Sequence, residues 1–439
     1  MAVALLAPGI GSAAAQPVAA GEQHQHGQPP PADDPAPQHD MQHMHMENMP
    51  GMAMPSVREG SGTSWLPDET PMYALHAQAG DWTLMAHGSV FVQYLQDVGD
   101  RGSHQAGSIN WLMGMADRSL GAGHLGLRGM ISLEPWTIRG CGYPDLLASG
   151  EVCRGQAIHD RQHPHDLFME IAATYDRPLA GDVRLQLYGG PVAEPALGPT
   201  AFPHRVSAMP SPLAPITHHW FDATHIAYGV ATGGVYGQRW KIEGSLFNGR
   251  EPDEHRTNID FAAWDSWSGR VWFLPTRQWA LQISAGHLKE AEAAHDEGPR
   301  IDVDRVTASA TYHRIVRPGS IWASTIGWGR NHERDGGATN ALLAETNLTL
   351  DERDTWFGRF ELSGKTGHDL AIESSDSFTV GKLQAGYTRY LPAANGVQAG
   401  FGGGFSIGIV PESLAPFYGR RINPGFALFV TLRAAERGM

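Results

Sequence analysis

The sequence predicts an all-β fold: a transmembrane antiparallel up-and-down β-barrel of about 16 strands (roughly 14–18), preceded by a disordered N-terminal tail. Short segments from Trp82 onward alternate apolar and polar side chains with a period of two. The connectors between these segments are alternately short and long along the chain. No stretch after the N-terminus is apolar enough, at roughly 18 residues, to form a membrane-spanning helix, so a helical membrane protein is excluded.

Composition excludes one class of partner and indicates a compartment. The chain of 439 residues has 46 acidic and 32 basic residues, a formal net charge of −14. Because nucleic-acid binding needs clustered Lys and Arg, we expect no nucleic-acid partner. The two cysteines, Cys141 and Cys153, lie in a Gly- and Pro-rich stretch without CxxC spacing. In an oxidising compartment they predict a local disulfide, the alternative being two unrelated thiols.

Three regions follow one another along the chain. Residues 1–20 contain a short apolar stretch and the small residues Ala13, Ala14 and Ala15, which is typical of a signal peptide. The basic start of a signal peptide is missing, so we expect this one to be truncated. Residues 21–80 are predicted to be a disordered, Met/His-rich periplasmic segment. Residues 81–439 are predicted to form the outer-membrane barrel.

The alternation of side chains in the body indicates strands with two different faces. Trp240, Ile242 and Leu246 share one parity, and Lys241 and Glu243 share the other. A soluble sandwich shows the same alternation, so alternation does not decide between the two folds. The predicted strands are 82–95, 106–116, 123–137, 165–176, 182–190, 224–235, 239–248, 266–274, 278–288, 303–315, 319–330, 339–350, 354–364, 376–390, 396–409 and 417–433.

The lengths of the connectors favour the barrel. Short connectors lie at 177–181, 237–238, 275–277, 317–319, 351–354 and 392–396. Long connectors lie at 138–164, 191–223, 249–265, 289–302, 331–338, 365–375 and 410–416. Short and long connectors alternate regularly, which is typical of an outer-membrane barrel with short periplasmic turns at one end and long extracellular loops at the other. A sandwich gives no reason for this alternation. An even strand count places both termini in the periplasm of a bacterial outer-membrane protein.

Two finer features of the strands give further expectations. A change of phase near Lys382 predicts a β-bulge in the strand 376–390. Tryptophans near predicted strand ends are expected to form the interfacial girdles of a membrane barrel, with ordinary core packing as the alternative. These tryptophans are Trp82, Trp111, Trp240, Trp279 and Trp356.

The tail is dense in imidazole and thioether side chains. Thioethers prefer Cu(I) and imidazoles accept Cu(II), so the tail predicts copper binding by a flexible chain. The alternatives are a compositional accident and buffering of any divalent metal. The candidate ligands are His24, His26, His39, Met41, His43, Met44, His45, Met46, Met49, Met52 and Met54.

Two further histidine runs, IHDRQHPHD and THHWFDATH, precede predicted strands and flank long loops. Their candidate ligands are His159, His163, His165, Asp166, His218, His219 and His225. The two runs are expected to converge at the mouth of the barrel, with His225 facing the lumen opposite in parity to Ile226 and Tyr228. Such a set fits zinc or Cu(II), and equally a hydrogen-bonded network that folds the loop against the wall.

Charged residues of both signs fall on the predicted lumen parity. They fit either internal salt-bridge networks that fill a narrow lumen or an open pore. These residues are Arg128, Glu134, Glu170, Arg184, Lys241, Glu243, Arg305, Glu345, Arg359 and Glu361.

The layout of signal peptide, Met/His-rich tail and C-terminal barrel resembles the outer-membrane copper-resistance protein B family, mainly through residues 39–54. The resemblance implies copper sequestration or export supporting copper tolerance, with outer-membrane lipid, metal ions and periplasmic copper proteins as partners. It implies no enzyme. The two histidine runs look like a separate group of bacterial outer-membrane proteins. The alternative function is a porin-type channel for small solutes with a structural histidine network.

Overall fold

The computed structural model describes residues 58–292, 300–334 and 337–435. The predicted signal peptide and every candidate copper ligand of the tail, His24 to Met54, lie outside these residues. None of the helices in the described ranges has the length and apolar character needed to span a membrane.

Sixteen strands form a closed antiparallel ring. Each pairs with its neighbour in the chain or across a loop, and the last strand pairs with the first through Val430 and Val92. The ring strands are β2 (Trp82–Asp97), β3 (His104–Leu120), β4 (Gly123–Ile131), β7 (Phe168–Ala180), β8 (Val183–Ala193), β9 (Ala227–Tyr236), β10 (Trp240–Phe247), β11 (Ser266–Phe273), β12 (Trp279–Glu292), β13 (Ile301–Arg317), β14 (Ser320–Glu333), β15 (Ala338–Leu350), β16 (Asp354–Thr366), β17 (Ser377–Tyr390), β18 (Val397–Ile409) and β19 (Ile422–Ala434).

The remaining elements are short. A strand β1 (Leu75–Ala79) pairs with the start of β2, and β5 (Tyr143–Cys153) pairs with β6 (Gln156–Gln162) in a separate hairpin. The α-helices are α1 (Glu134–Thr137), α2 (His218–Phe221) and α3 (Ala415–Tyr418), and the 3-10 helices are Phe202–His204, Ala223–His225 and Glu412–Leu414.

The predicted barrel is confirmed in class, strand number and strand order. Alternate side chains of β10 show why it is a membrane barrel and not a sandwich: Ile242 and Leu246 are 53% and 56% exposed, whereas Lys241 and Glu243 are buried. Apolar side chains therefore point outward and polar side chains point into the ring, which is the arrangement that hydrocarbon outside a barrel requires.

Several strand boundaries differ from the prediction for local reasons. The predicted strand 123–137 ends at Ile131, and Glu134–Thr137 is a helix with Pro135 in its first turn. Proline lacks the amide hydrogen that a strand ladder needs, and its fixed φ suits a helix start. Residues 165–167 precede β7, and 224–225 belong to the 3-10 helix before β9.

Two of the finer expectations are wrong. No register shift occurs between β16 and β17, so Lys382 marks no bulge. Val380 and Lys382 share the inward face, and Val380 packs with Leu370 and Val410 in a buried cluster. The apparent change of phase arises because part of the wall faces packed protein instead of water. Trp111 is also no girdle residue, since it is buried within the ring.

Other predicted girdle residues do face outward. Trp240, Trp279 and Trp356 are exposed at or near the first residues of their strands, and Trp82 is half-buried at the start of β2. Their indole rings lie where an amphipathic side chain meets the boundary between hydrocarbon and water.

The outward face makes a direct prediction about stability. Replacing Ile326, which is 64% exposed in the middle of β14, by arginine should lower the free energy of unfolding in a bilayer by about 2–4 kcal/mol. Denaturant titration in lipid vesicles measures the loss. The control, His255→Arg, alters an exposed loop residue and should change little. Equal effects of the two substitutions would mean that Ile326 does not face lipid.

The predicted disulfide is confirmed. Cys141 and Cys153 are bonded, with their Cα atoms 5.8 Å apart, and the bond ties the start of the β5–β6 region to its turn. This hairpin carries Leu146 and Leu147 into a buried cluster against the wall. The long connector between β4 and β7 is therefore folded into the barrel and not splayed into solvent.

Two further stretches fill the ring. We call residues 58–74 the N-terminal segment and residues 194–226 the interior segment. In the N-terminal segment Thr63, Ser64 and Trp65 are buried, and the Thr63 carbonyl accepts a hydrogen bond from Lys241. The predicted disordered segment 21–80 is thus wrong from residue 58 onward, because polar groups of the wall bind its backbone.

Both described chain ends lie at the same end of the ring. Arg58 donates to the carbonyl of Gln238 in the short turn before β10. Ala435 donates its amide to the carbonyl of Gly396 in the short turn before β18. The histidine runs precede β7 and β9 at the opposite, long-loop end.

Candidate metal centre in the barrel interior

The interior segment is held to the wall by buried charges. Arg205 is fully buried and bonds Glu345 on β15 and Asp222 at the end of the segment. Arg359 donates Nε to Glu345 at 3.0 Å and Nη1 to the carbonyl of Leu213 at 2.9 Å. The segment is therefore tied to strands β15 and β16 by paired charges, the environment in which buried ions are tolerated.

The lumen charges expected from parity are confirmed as a packed network. Arg128, Glu170, Lys241, Glu243, Arg305, Glu345, Arg359 and Glu361 are buried on wall strands. Glu134 is buried too, although it lies in α1 and not in a strand. Arg184 pairs with Asp176 and stays a quarter exposed. Of the two alternatives that the sequence left open, the filled lumen is the one observed in the described residues.

The two histidine runs meet, as the sequence predicts. We call His163, His165, His218 and His225 the histidine cluster. Ring centroids are 5.4 Å apart for His165 and His225, 5.2 Å for His218 and His225, and 6.5 Å for His163 and His218. The ring of Phe202, from the interior segment, packs against three of them.

Each ring of the histidine cluster is oriented through Nδ1. His165 donates to Glu134 and His218 to Asp222, both at 2.9 Å. His225 donates to the Asp222 carbonyl at 2.7 Å, and His163 to the Pro164 carbonyl at 3.1 Å. This pattern orients the rings, and Nε2 of His225 is buried without a hydrogen-bond partner among the described residues. At protein metal sites a second acceptor orients the ligating imidazole in the same way.

Burial sets the protonation of the cluster. Burial lowers the pKa of His225 to about 3, helped by the nearby rings of His218 and His165. The pKa values of His163 and His218 are also lowered by burial. For His165 the burial effect is outweighed by the Glu134 carboxylate, so its pKa is raised. Three of the four imidazoles are therefore neutral near pH 7, the form that binds metals.

His219 belongs to a second group, which we call the His219 site. His219, Glu251 and Glu292 place one ligand-type atom each within 4.8 Å of one another. Nδ1 of His219 lies 2.9 Å from the Glu251 carboxylate. Nε2 of His219 is buried without a hydrogen-bond partner among the described residues. It opens on a cavity of about 20 Å³ lined also by Glu292, His368 and Asp369, large enough for one small ligand such as a water or an ion.

The His219 site depends on a glycine of the β5–β6 hairpin. A Cβ at Gly150 would lie 2.0 Å from Nε2 of His219, and the φ of Gly150 is 130°. Only glycine therefore lets the hairpin cover this ring. Glu251 and Glu292 are site residues that the sequence did not single out. Their signal was weak, because single glutamates in a loop and at a strand end resemble solvated charges.

The other predicted ligands have different surroundings. Among the described residues no ring contact joins His159 to the histidine cluster, and its register partner in the hairpin is Ser149. Asp166 pairs with Arg256 at 3.6 Å, and burial raises its pKa to about 6. The predicted parity of His225 opposite Tyr228 is wrong, because Tyr228 also points inward and is buried.

The solved structures to which the chain is similar include bacterial outer-membrane proteins. The chain is similar to Salmonella typhi OmpF solved in complex with daunomycin, with 9% identity, a TM-score of 0.51, and coverage of 82% of this chain and all of that chain. An anion-selective porin from Comamonas acidovorans, at 11% identity, has a TM-score of 0.48 and covers 81% of this chain and 99% of its own. OmpT of Vibrio cholerae, at 6%, has a TM-score of 0.45, with 82% and 99% covered.

No protein-family model matches the chain, and no curated protein matches it either. None of these findings shows membership of the copper-resistance protein B family. The similarity to OmpF establishes the fold alone: the chain has the porin-like β-barrel fold of bacterial outer-membrane proteins.

Proposed function

We propose that this outer-membrane barrel, with its lumen filled by its own chain, binds one divalent transition-metal ion at the His219 site beside the histidine cluster. The observation that carries the proposal is the meeting of His219, Glu251 and Glu292 within 4.8 Å. They come from three separate parts of the chain, α2, the loop after β10 and the end of β12.

The donor set determines the ion class. One imidazole and two carboxylates suit zinc or Cu(II), which accept nitrogen and oxygen ligands together, and Glu251 and Glu292 supply the carboxylate oxygens. The histidine cluster adjoins the site, since the rings of His218 and His219 are 5.4 Å apart. The neutral imidazoles of His163, His218 and His225 give an entering ion a series of neighbouring ligands.

The copper function of the tail is a separate part of the proposal. Its support is the density of Met and His between His24 and Met54 and the preference of thioethers for Cu(I). We propose that the tail captures copper in the periplasm and that the protein thereby supports copper tolerance. In this proposal, the side of the ring with the short turns faces the periplasm, because the first and last described residues of the chain lie there.

A stoichiometry difference tests the metal site in the full chain. We expect folded wild-type protein in detergent to retain one more Zn²⁺ per chain than the variant His219→Gln/Glu292→Gln after gel filtration with a weak chelator. The tail is identical in both proteins, so its contribution cancels. The measurement is zinc per chain by elemental analysis.

The matched control is Glu254→Gln/His255→Gln, which alters the same residue types in an exposed loop at the same end. It should retain the wild-type amount of zinc. If the His219→Gln/Glu292→Gln variant keeps its folded mobility in unheated SDS gels and binds as much zinc as the control, the metal site is refuted. The histidine network then serves only to hold the interior segment.

A porin-type channel for small solutes is the second candidate function. The observation that favours it is the sixteen-strand porin-like fold shared with OmpF. The filled lumen opposes it, because side chains that would line a channel are buried against the interior segment. Conductance in planar bilayers distinguishes the two functions, because a porin-type channel should conduct ions and a filled barrel should not.

A further inference from the structure

A cavity of about 90 Å³ lies between the N-terminal segment and the interior segment. Its lining is unusual for a barrel interior, since it combines thioethers and imidazoles. Met85, Met115 and Met209 line it together with His87 and His204. We call it the methionine cavity.

Two imidazoles and an indole of the methionine cavity contact one another. Nε2 of His87 also lies 3.1 Å from Sδ of Met113, a buried methionine that does not line the cavity. The rings of His87 and His204 have their centroids 5.5 Å apart. The ring of Trp111 packs 4.7 Å from that of His204. Two nitrogen ligands and several sulfur ligands thus surround one small volume beside an indole face.

His204 supports a ligand-binding purpose over plain packing. It belongs to the 3-10 helix Phe202–His204 of the interior segment, and within the described residues its ring makes aromatic contacts but no hydrogen bond to a side chain or backbone group. A neutral imidazole without a hydrogen bond is costly in an apolar cavity and becomes favourable when it binds a metal.

We propose that the methionine cavity is a binding site for a soft monovalent metal ion, Cu(I) by its chemistry, with ligands drawn from Met85, Met115, Met209, His87 and His204. Thioether and imidazole ligands select Cu(I) over hard cations. The Trp111 face adds an electrostatic attraction for a cation. This site differs in ligand type and in position from the His219 site, and it does not depend on it.

One residue that lines the methionine cavity is close to the tail in sequence. Glu59 lines the cavity and brings a carboxylate close to it, although Arg128 at 3.4 Å offsets part of that charge. In the sequence, the last methionine of the tail is Met54, only a few positions before Glu59.

Silver provides a test of the methionine cavity, because Ag⁺ has the ligand preferences of Cu(I) and is stable in air. We expect full-length Met85→Leu/Met115→Leu protein to retain one Ag⁺ fewer per chain than wild type in competition with a soluble thioether. Leucine conserves the volume of methionine and removes the sulfur, so the fold should be kept. The tail is the same in both proteins.

The matched control is Met130→Leu/Met169→Leu, two buried methionines that belong to the same apolar cluster as Met115 but do not line the cavity. This control should bind Ag⁺ like wild type. A second variant, His204→Gln, should also lose one Ag⁺ while keeping the wild-type amount of Zn²⁺, which distinguishes this cavity from the His219 site. If the cavity variants retain as much Ag⁺ as the control, or if both methionine pairs lose it equally, the proposal is refuted.

Discussion

Replacing Arg205 by methionine should lower the free energy of unfolding by about 3–5 kcal/mol, because one substitution leaves two buried carboxylates short of their partner. Arg205 is fully buried and pairs with Glu345 and Asp222, and its Nη1 donates to the Thr200 carbonyl at 2.8 Å. Burial raises the pKa of Asp222, but Arg205 and His218 outweigh burial and hold it below its ordinary value. Without Arg205, the Asp222 carboxylate loses the positive charge that offsets most of the cost of its burial.

Urea titration in detergent, followed by tryptophan fluorescence, measures this loss. The control is Arg317→Met, which breaks an ion pair with Asp351 whose side chains are 56% and 64% exposed. Exposed pairs contribute about 0–1 kcal/mol, so the control should remain close to wild type. If Arg205→Met costs no more than Arg317→Met, the interior segment is not anchored through this arginine.

Removing the interior segment should convert a barrel of low conductance into an open channel. Ala193 and Ala227 are directly paired partners on β8 and β9, so an Asn-Gly turn in place of residues 194–226 can join the two strands without breaking the ring. An unfilled barrel of this strand number leaves an aqueous channel. We expect planar-bilayer recordings to show little conductance for wild type and stable, porin-sized steps for the shortened chain.

The control removes Thr257 and Asn258, two exposed residues of the loop between β10 and β11. It should conduct as little as wild type. Large conductance of the wild-type protein itself would favour the porin-type function and would show that the interior segment does not close the lumen. Low conductance of the shortened chain, with the barrel folded, would show that other parts close it.

The strand order could be predicted because each barrel strand carries its own signal. In β10, apolar Ile242 and Leu246 alternate with charged Lys241 and Glu243. This alternation is visible in the local sequence alone, because neighbouring side chains of a strand point to opposite faces. The prediction failed where the inner face of a strand packs against other parts of the protein instead of water. Val380 is apolar and inward because the wall beside it faces packed protein, and Trp111 is inward because it packs beside His87 and His204.

The candidate centre was predictable only in part. Two dense histidine runs before strands indicated that His163, His165, His218 and His225 share one end of the barrel. No sequence pattern singled out Glu251 and Glu292 or the residues of the methionine cavity. Met85 and Met115 are register partners on β2 and β3, but His204 joins them only because the interior segment folds back between the walls.

The sequence by itself determined the ring, its even number of strands, the two faces of each strand and the disulfide between Cys141 and Cys153. All of these depend on local alternation, connector length or short chain separation. Only the tertiary structure decided that the lumen is filled and which ligands meet in it. These follow from pairings such as Arg205 with Glu345 and Lys241 with Thr63, which join residues far apart in the chain and leave no periodic trace in the sequence.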